Sequence, residues 1–159
     1  MVNAMEERGL PMLGLLDRSD QDLRTVLERF GEAYLALMLS PEGLGATRTV
    51  IAETGRSELG PQLYALGPKR FWDEAAAYIE RQMARGTLTA DSARLAALHL
   101  QGLLEAGVVE PALFGAEPLL ERGKGVKAAI DLFLRDYAAD GDARPARGAA
   151  SRATKQDRS

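Results

Sequence analysis

The chain contains no cysteine. Disulfides, thiolate metal sites and cysteine nucleophiles are therefore excluded, and a reducing, cytoplasmic setting is the expectation. A single histidine, His99, leaves no two-histidine metal site. No apolar run approaches the roughly 20 residues needed to cross a bilayer. The opening "MVNAMEERGL" carries charge where an export signal needs an apolar centre. There is no G-x-S-x-G, no phosphate-binding glycine loop and no H-E-x-x-H. No nucleophile, base and orienting group can be assembled, so an enzyme is not expected, nor is a metal, a cofactor or a membrane partner. Period-2 alternation is also missing over any useful length, which argues against a sheet.

What remains is an ordinary globular composition. The 159 residues are 46% hydrophobic and 27% charged, enough for one domain with a real core. The net charge of −3 does not suit a chain that grips phosphate backbones by itself. The last twenty residues hold five cations and three anions, a net +2 that leaves −5 for the rest. They lack large apolar side chains, so residues 140–159 are expected to be a disordered tail.

Helical periodicity runs through nearly everything else, and the class is all-α. In "DQDLRTVLERFGEAYLALML", Leu23, Val26, Leu27, Phe30, Tyr34, Leu37 and Met38 share a stripe, with Ser19 and Asp22 as a candidate capping box. "SPEGLGATRTVIAETG" follows, with Ser40 as N-cap, Pro41 in the first turn and Gly55 as the stop. Ser57 can cap the next segment, which Gly67-Pro68 either kinks or ends. Beyond it, Phe71, Trp72, Ala75, Ile79 and Met83 form a stripe, with Lys69, Asp73, Glu80 and Arg81 pointing away and Arg85-Gly86 as the stop.

The last two helices are unusual. In "ADSARLAALHLQGLLEAGVVE", Arg94, Gln101 and Glu105 fall in one narrow sector and nearly all else is apolar or small. This helix is expected to run until Pro111 and Gly115. The final helix, over about residues 117–139, has Val126, Ile130, Phe133 and Tyr137 as its core stripe, with Ala128 and Leu132 widening the apolar surface. One domain of this size cannot cover both sides of two terminal helices. A second copy can, through an intermolecular four-helix bundle.

Three features carry alternatives. His99 lies roughly 140° around its helix from the polar sector. It is either a core or interface histidine bonded to a neighbour, or a polar fixture in a ligand pocket. The aromatic stripes are either plain core or the walls of a pocket. Arg48 either lays its stem on the core with its head in water, or pairs with an acid or a ligand carboxylate.

The ordered series S-P-E-G-L…R-x-V-I-A-E, then G-P-K-R, then "ERQMARGTL", then a start capped by Asp91 and the A-A-x-x-x-x-G-L ending at Leu103, resembles the C-terminal regulatory domain of TetR/AcrR-type transcriptional regulators. The resemblance covers residues 20–139. It implies a single helical domain of five to six helices that holds a small-molecule pocket and dimerises through its last two long helices. In that family a helix-turn-helix head of about fifty residues precedes this region, and effector binding releases the protein from its operator. Residues 1–19 resemble only the end of the connecting helix and a loop, so operator DNA would be reached only through a head that this chain lacks. The competing reading is a headless helical protein that sequesters a small molecule or titrates a regulator.

On that basis Phe30, Tyr34, Tyr64, Phe71, Trp72, His99 and Leu103 are expected to line one cavity, with Arg48 as a pocket cation or a hinge contact. The occupant is expected to be a small hydrophobic or aromatic effector. The homodimer is expected to use Leu98, Gly102, Ala106 and Val109 with Ala128, Leu132 and Arg135.

Overall fold

The computed structural model describes residues 9, 11–17 and 22–139, and the expected tail at 140–159 lies outside them. From residue 22 on, the described residues form seven α-helices in order: α1 Leu23–Met38, α2 Pro41–Glu53, α3 Leu59–Tyr64, α4 Arg70–Ala84, α5 Ala93–Glu105, α6 Val109–Leu113 and α7 Arg122–Tyr137. Among the described residues no strand occurs. Two isolated bridges, Thr54 with Ser57 and Leu88 with Ala138, are the extended pairings. The five to six expected helices become seven among the described residues because the helix expected to run to Pro111 divides into α5 and the five-residue α6.

The core is built where the stripes meet. α1 supplies Val26, Leu27, Phe30, Tyr34 and Leu35, α4 supplies Phe71, Trp72, Ala75 and Ile79, α5 supplies Ala96, Ala97, Leu100 and Leu104, and α7 supplies Val126, Ile130 and Phe133. Removal of this much apolar surface from water is the main driving force for the fold. Met12 and Leu16 bury in the same core, so residues 11–17 are packed onto the domain. α1 comes close to α5 and α7 at Gly31, where a Cβ would lie 2.8 Å from Leu104 Cδ2 and 3.0 Å from Val126 Cγ1.

Several helix ends differ from the sequence expectation. Asp22 caps α1 and accepts from Thr25 N at 3.0 Å; Ser19 lies outside the described residues. Ser92, not Asp91, caps α5, accepting from Leu95 N at 3.2 Å. α5 stops at Glu105, short of Pro111, because Gly107 takes a left-handed φ of 74° that ends the helical run. The final helix starts at Arg122 rather than near 117, with the Glu121 carboxylate accepting from Gly123 N and Lys124 N at 2.8 and 3.2 Å. Those two backbone donors hold the Glu121 carboxyl below the usual carboxylate range.

Pro68 neither breaks the chain nor starts a fresh helix. It sits inside a π turn, Ala65–Lys69, through which α3 passes into α4. Proline has no N–H, and its ring clashes with the carbonyl four residues back. The wider turn gives that carbonyl room, so the rod continues.

α2 contributes no buried residue. Its N-cap Ser40 accepts from Gly43 N at 3.0 Å, as the S-P-E-G pattern predicts.

Candidate functional site

Four rings meet between α1 and α4. Phe30 and Tyr34 stack on Phe71 at centroid distances of 5.9 and 5.5 Å, and Trp72 sets its edge against all three at 5.2–6.1 Å. All four are buried. These are the offset and T-shaped arrangements that aromatic quadrupoles favour. The rings fill their own space.

A polar row crosses the inner side of α5 beside them. Tyr34 donates to Glu105 Oε1, and Gln101 Nε2 donates to the same oxygen at 2.9 Å. Further along, Arg94 Nη1 donates to Asp73 Oδ1 at 2.6 Å. The Arg94, Gln101 and Glu105 sector therefore faces α1 and α4. Asp73, expected to point away, is turned toward α5 for the same reason. The signal was present: a lone polar sector on an otherwise apolar helix marks whichever side needs polar groups, and that is not always the solvent side.

The rest of the expected cavity set is dispersed. Tyr64 is exposed beside the π turn, at the rim of a small cleft that also touches Trp72 and Gln101. Leu103 is half-buried. His99 is exposed on another face of α5, and its Nδ1 lies 2.5 Å from the Tyr137 hydroxyl of α7. Its apolar neighbours on the helix face outward, so His99 joins α5 to α7 and does not share a cavity with Trp72. Arg48 is exposed and donates through Nε to Leu113 O at 2.9 Å and through Nη2 to Ala112 O at 2.7 Å. It clasps α2 to the C-terminal carbonyls of α6, where a cation also meets the negative end of the helix. Arg48 thus joins two helices and is not among the residues that line the cleft beside the π turn.

The expected dimer residues divide. Leu98 and Leu132 are 44% and 46% exposed, and Gly102, Ala106, Ala128 and Arg135 are also exposed. Leu95 adds to the same apolar face at 49%. Val109 does not belong to it. An unbroken helix would place Val109 near Ala106, but the left-handed turn at Gly107 resets the phase and sends it into the core at 5% exposure.

Burial, and then the charge and hydrogen bond of Glu105, hold the Tyr34 phenol well above the ordinary tyrosine range. Burial likewise pushes Tyr78 on α4 up to about 12. In the unfolded chain both ionise near pH ~10. These two groups thus cost no stability below that pH and lower it as pH rises toward about 12, since the unfolded state releases its protons first. Tyr78→Phe is expected to flatten the decline of the urea midpoint between about pH 9 and pH 11. An unchanged slope would dissociate Tyr78 from the alkaline loss.

Among the described residues no helix is long and apolar enough to cross a membrane, and no group of three or more His, Asp and Glu is placed to hold a metal ion. The described residues thus form an all-helical domain with an aromatic core, a half-buried polar row beside it and an apolar outer face on α5 and α7. The chain belongs to the AefR-like transcriptional repressor C-terminal domain family of TetR-type regulators, whose model matches residues 25–139. No curated protein matches the sequence. Solved structures share the fold at low identity. One is described as a TetR-family transcriptional regulator from Mesorhizobium loti MAFF303099, 18% identical with a TM-score of 0.78 over 87% of this chain and 71% of that one. The flavonoid-responsive regulator FrrA is 20% identical with a TM-score of 0.65, covering 82% and 72%. A TetR regulator from Agrobacterium tumefaciens is 21% identical with a TM-score of 0.61, covering 83% and 60%.

Proposed function

We propose that this domain senses a small, largely apolar aromatic effector and works as a homodimer within a TetR-type repressor that leaves its operator when the effector binds. Operator contacts belong to a DNA-binding head separate from this domain. The observation that carries the reading is the closed ring cluster laid against the Tyr34–Glu105–Gln101 row. An apolar aromatic molecule can replace the ring-on-ring contacts, each worth about 0.5–1.5 kcal/mol, and meet a donor or acceptor on the row.

Entry would require the rings to part, and parting them moves α4 against α1. α2 is tied to α6 through Arg48 and has no buried residue of its own, so it can follow that movement at little cost in packing. The unpartnered leucines of α5 and α7 supply the dimer face.

Trp72 is the only tryptophan, so its fluorescence reports on the cluster. A panel of flavonoids, aromatic acids, fatty acids and hydrophobic drugs is expected to include compounds that change it saturably, while sedimentation at micromolar concentration shows a dimer. Flavonoids enter the panel because one structural relative is flavonoid-responsive. A flat response across the panel would remove the sensing role, and a monomer at those concentrations would remove the dimer.

A further inference from the structure

A small cleft stays open next to the ring cluster, with a volume of about 30 Å³, between the π turn, the start of α4 and α5. That is room for roughly one water, far short of a filled ligand site. Its composition is more informative than its size. Tyr64 and Trp72 form aromatic walls, Leu98 closes one edge, and Gln101 leads from it to the half-buried Glu105 and the buried Tyr34.

Two cations meet at the mouth, and one carboxylate serves both. Lys69 Nζ lies 2.5 Å from Asp73 Oδ2, and Arg94 Nη1 lies 2.6 Å from Asp73 Oδ1. The lining thus holds one more positive than negative charge. All three side chains are 38–60% exposed, so these pairs are weak and exchangeable. Two hydrogen-bonded cations, Lys69 first, hold the Asp73 carboxyl below its usual range, as an anion seated between them would be held.

We propose that this cleft receives the carboxylate of an aromatic acid, with Lys69 and Arg94 as its counter-ions, its ring against Tyr64 and Trp72, and Asp73 as the internal anion it displaces. The inference rests on the effector-sensing reading and narrows the effector to an anion. Arginine offers a planar fork that fits a carboxylate through two parallel hydrogen bonds. When that fork turns from Asp73 to the ligand, α4 loses an ion pair to α5, at the place where ring separation would begin.

The test uses 3-phenylpropionate and 3-phenylpropanamide, which have the same shape and differ in charge. Each is titrated against the full chain in low-salt buffer at neutral pH, with Trp72 emission as the readout. The acid is expected to bind about fivefold more tightly than the amide, the scale of one partly exposed charge pair, and added salt should erase the difference. Arg94→Gln and Lys69→Gln should each lower affinity for the acid alone. Asp73→Asn should raise it by a few-fold and leave the amide unchanged, which loss of structure could not produce. Equal binding of acid and amide, or weaker acid binding by Asp73→Asn, overturns the anion assignment and leaves the sensing reading intact. No response to either compound, with no response to the wider panel, overturns both.

Discussion

Gly102→Arg is expected to turn a dimer into a folded monomer. Gly102 is exposed on α5, and a Cβ built there meets no atom within 4 Å of its own protomer. Arginine is also the better helix former by about 1 kcal/mol, so the isolated chain should lose no stability. The damage falls on the partner. Gly102 and Ala106 are the small residues of a face that otherwise presents Leu95, Leu98 and Leu132, and a gap of that kind lets two helices approach closely. A two-fold axis places two arginines in one interface, so the insult counts twice. The dimer dissociation constant should rise by at least ~100-fold, a loss of about 3 kcal/mol. Sedimentation velocity over the micromolar range reads the association state, and circular dichroism confirms the helices. A variant that remained dimeric would place the interface on another surface.

The second large effect concerns the α1–α2 corner. A Cβ at Gly43 would lie 2.1 Å from the Leu37 carbonyl oxygen and 3.0 Å from that of Met38. Both obstacles are backbone, so no rotamer change relieves them. Gly43→Ala must reopen the corner, and the expected cost is about 3 kcal/mol, at the upper end of overpacking losses. For a domain of this size that lowers the melting temperature by roughly 10 °C. Gly45→Ala, two residues on, is the control. Its Cβ meets nothing within 4 Å, so it should be neutral or stabilise α2 by up to about 1 kcal/mol. Equal melting temperatures for the two variants would contradict the close approach. The glycine in S-P-E-G-L is therefore fixed by sterics, which is why that short string carried information.

Much of the helical frame is readable from spacing alone. The stripes of α1, α4 and α7 bury as their periodicity requires, and the stops at Gly55 and Gly86 appear as left-handed glycines. Periodicity gives an angle around a helix, however, and not the neighbour that the angle faces. α5 shows the difference. Its Arg94, Gln101 and Glu105 sector is visible in the sequence, yet it turns inward because the helix's other apolar side is left open. His99 shows the same limit: the sequence allows either a histidine bonded to a neighbour or a pocket fixture, and it is bonded to Tyr137, with its apolar surroundings on the outer face. Val109 depends on a left-handed turn that resets the count. The cleft escapes a sequence reading because Asp73 and Arg94 meet across 21 residues of chain on two helices, with Lys69 of the π turn four residues before Asp73, and each alone looks like a solvated charge.

The π turn has a consequence for helical phase. Tyr64 and Trp72 are eight positions apart, and in an uninterrupted α-helix they would be offset by about 80°. A π turn absorbs one extra residue, about 100° of rotation, so the pair behaves as if separated by seven positions and returns to one side of the rod. The two aromatic walls of the cleft are thus aligned by an added residue that the helix never expelled. The same device makes the alignment reversible in principle. If the wide turn migrated along the rod past Tyr64, every side chain it passed would rotate by that one step, and Tyr64 would swing out of line with Trp72 while the axis of the rod stayed nearly where it was.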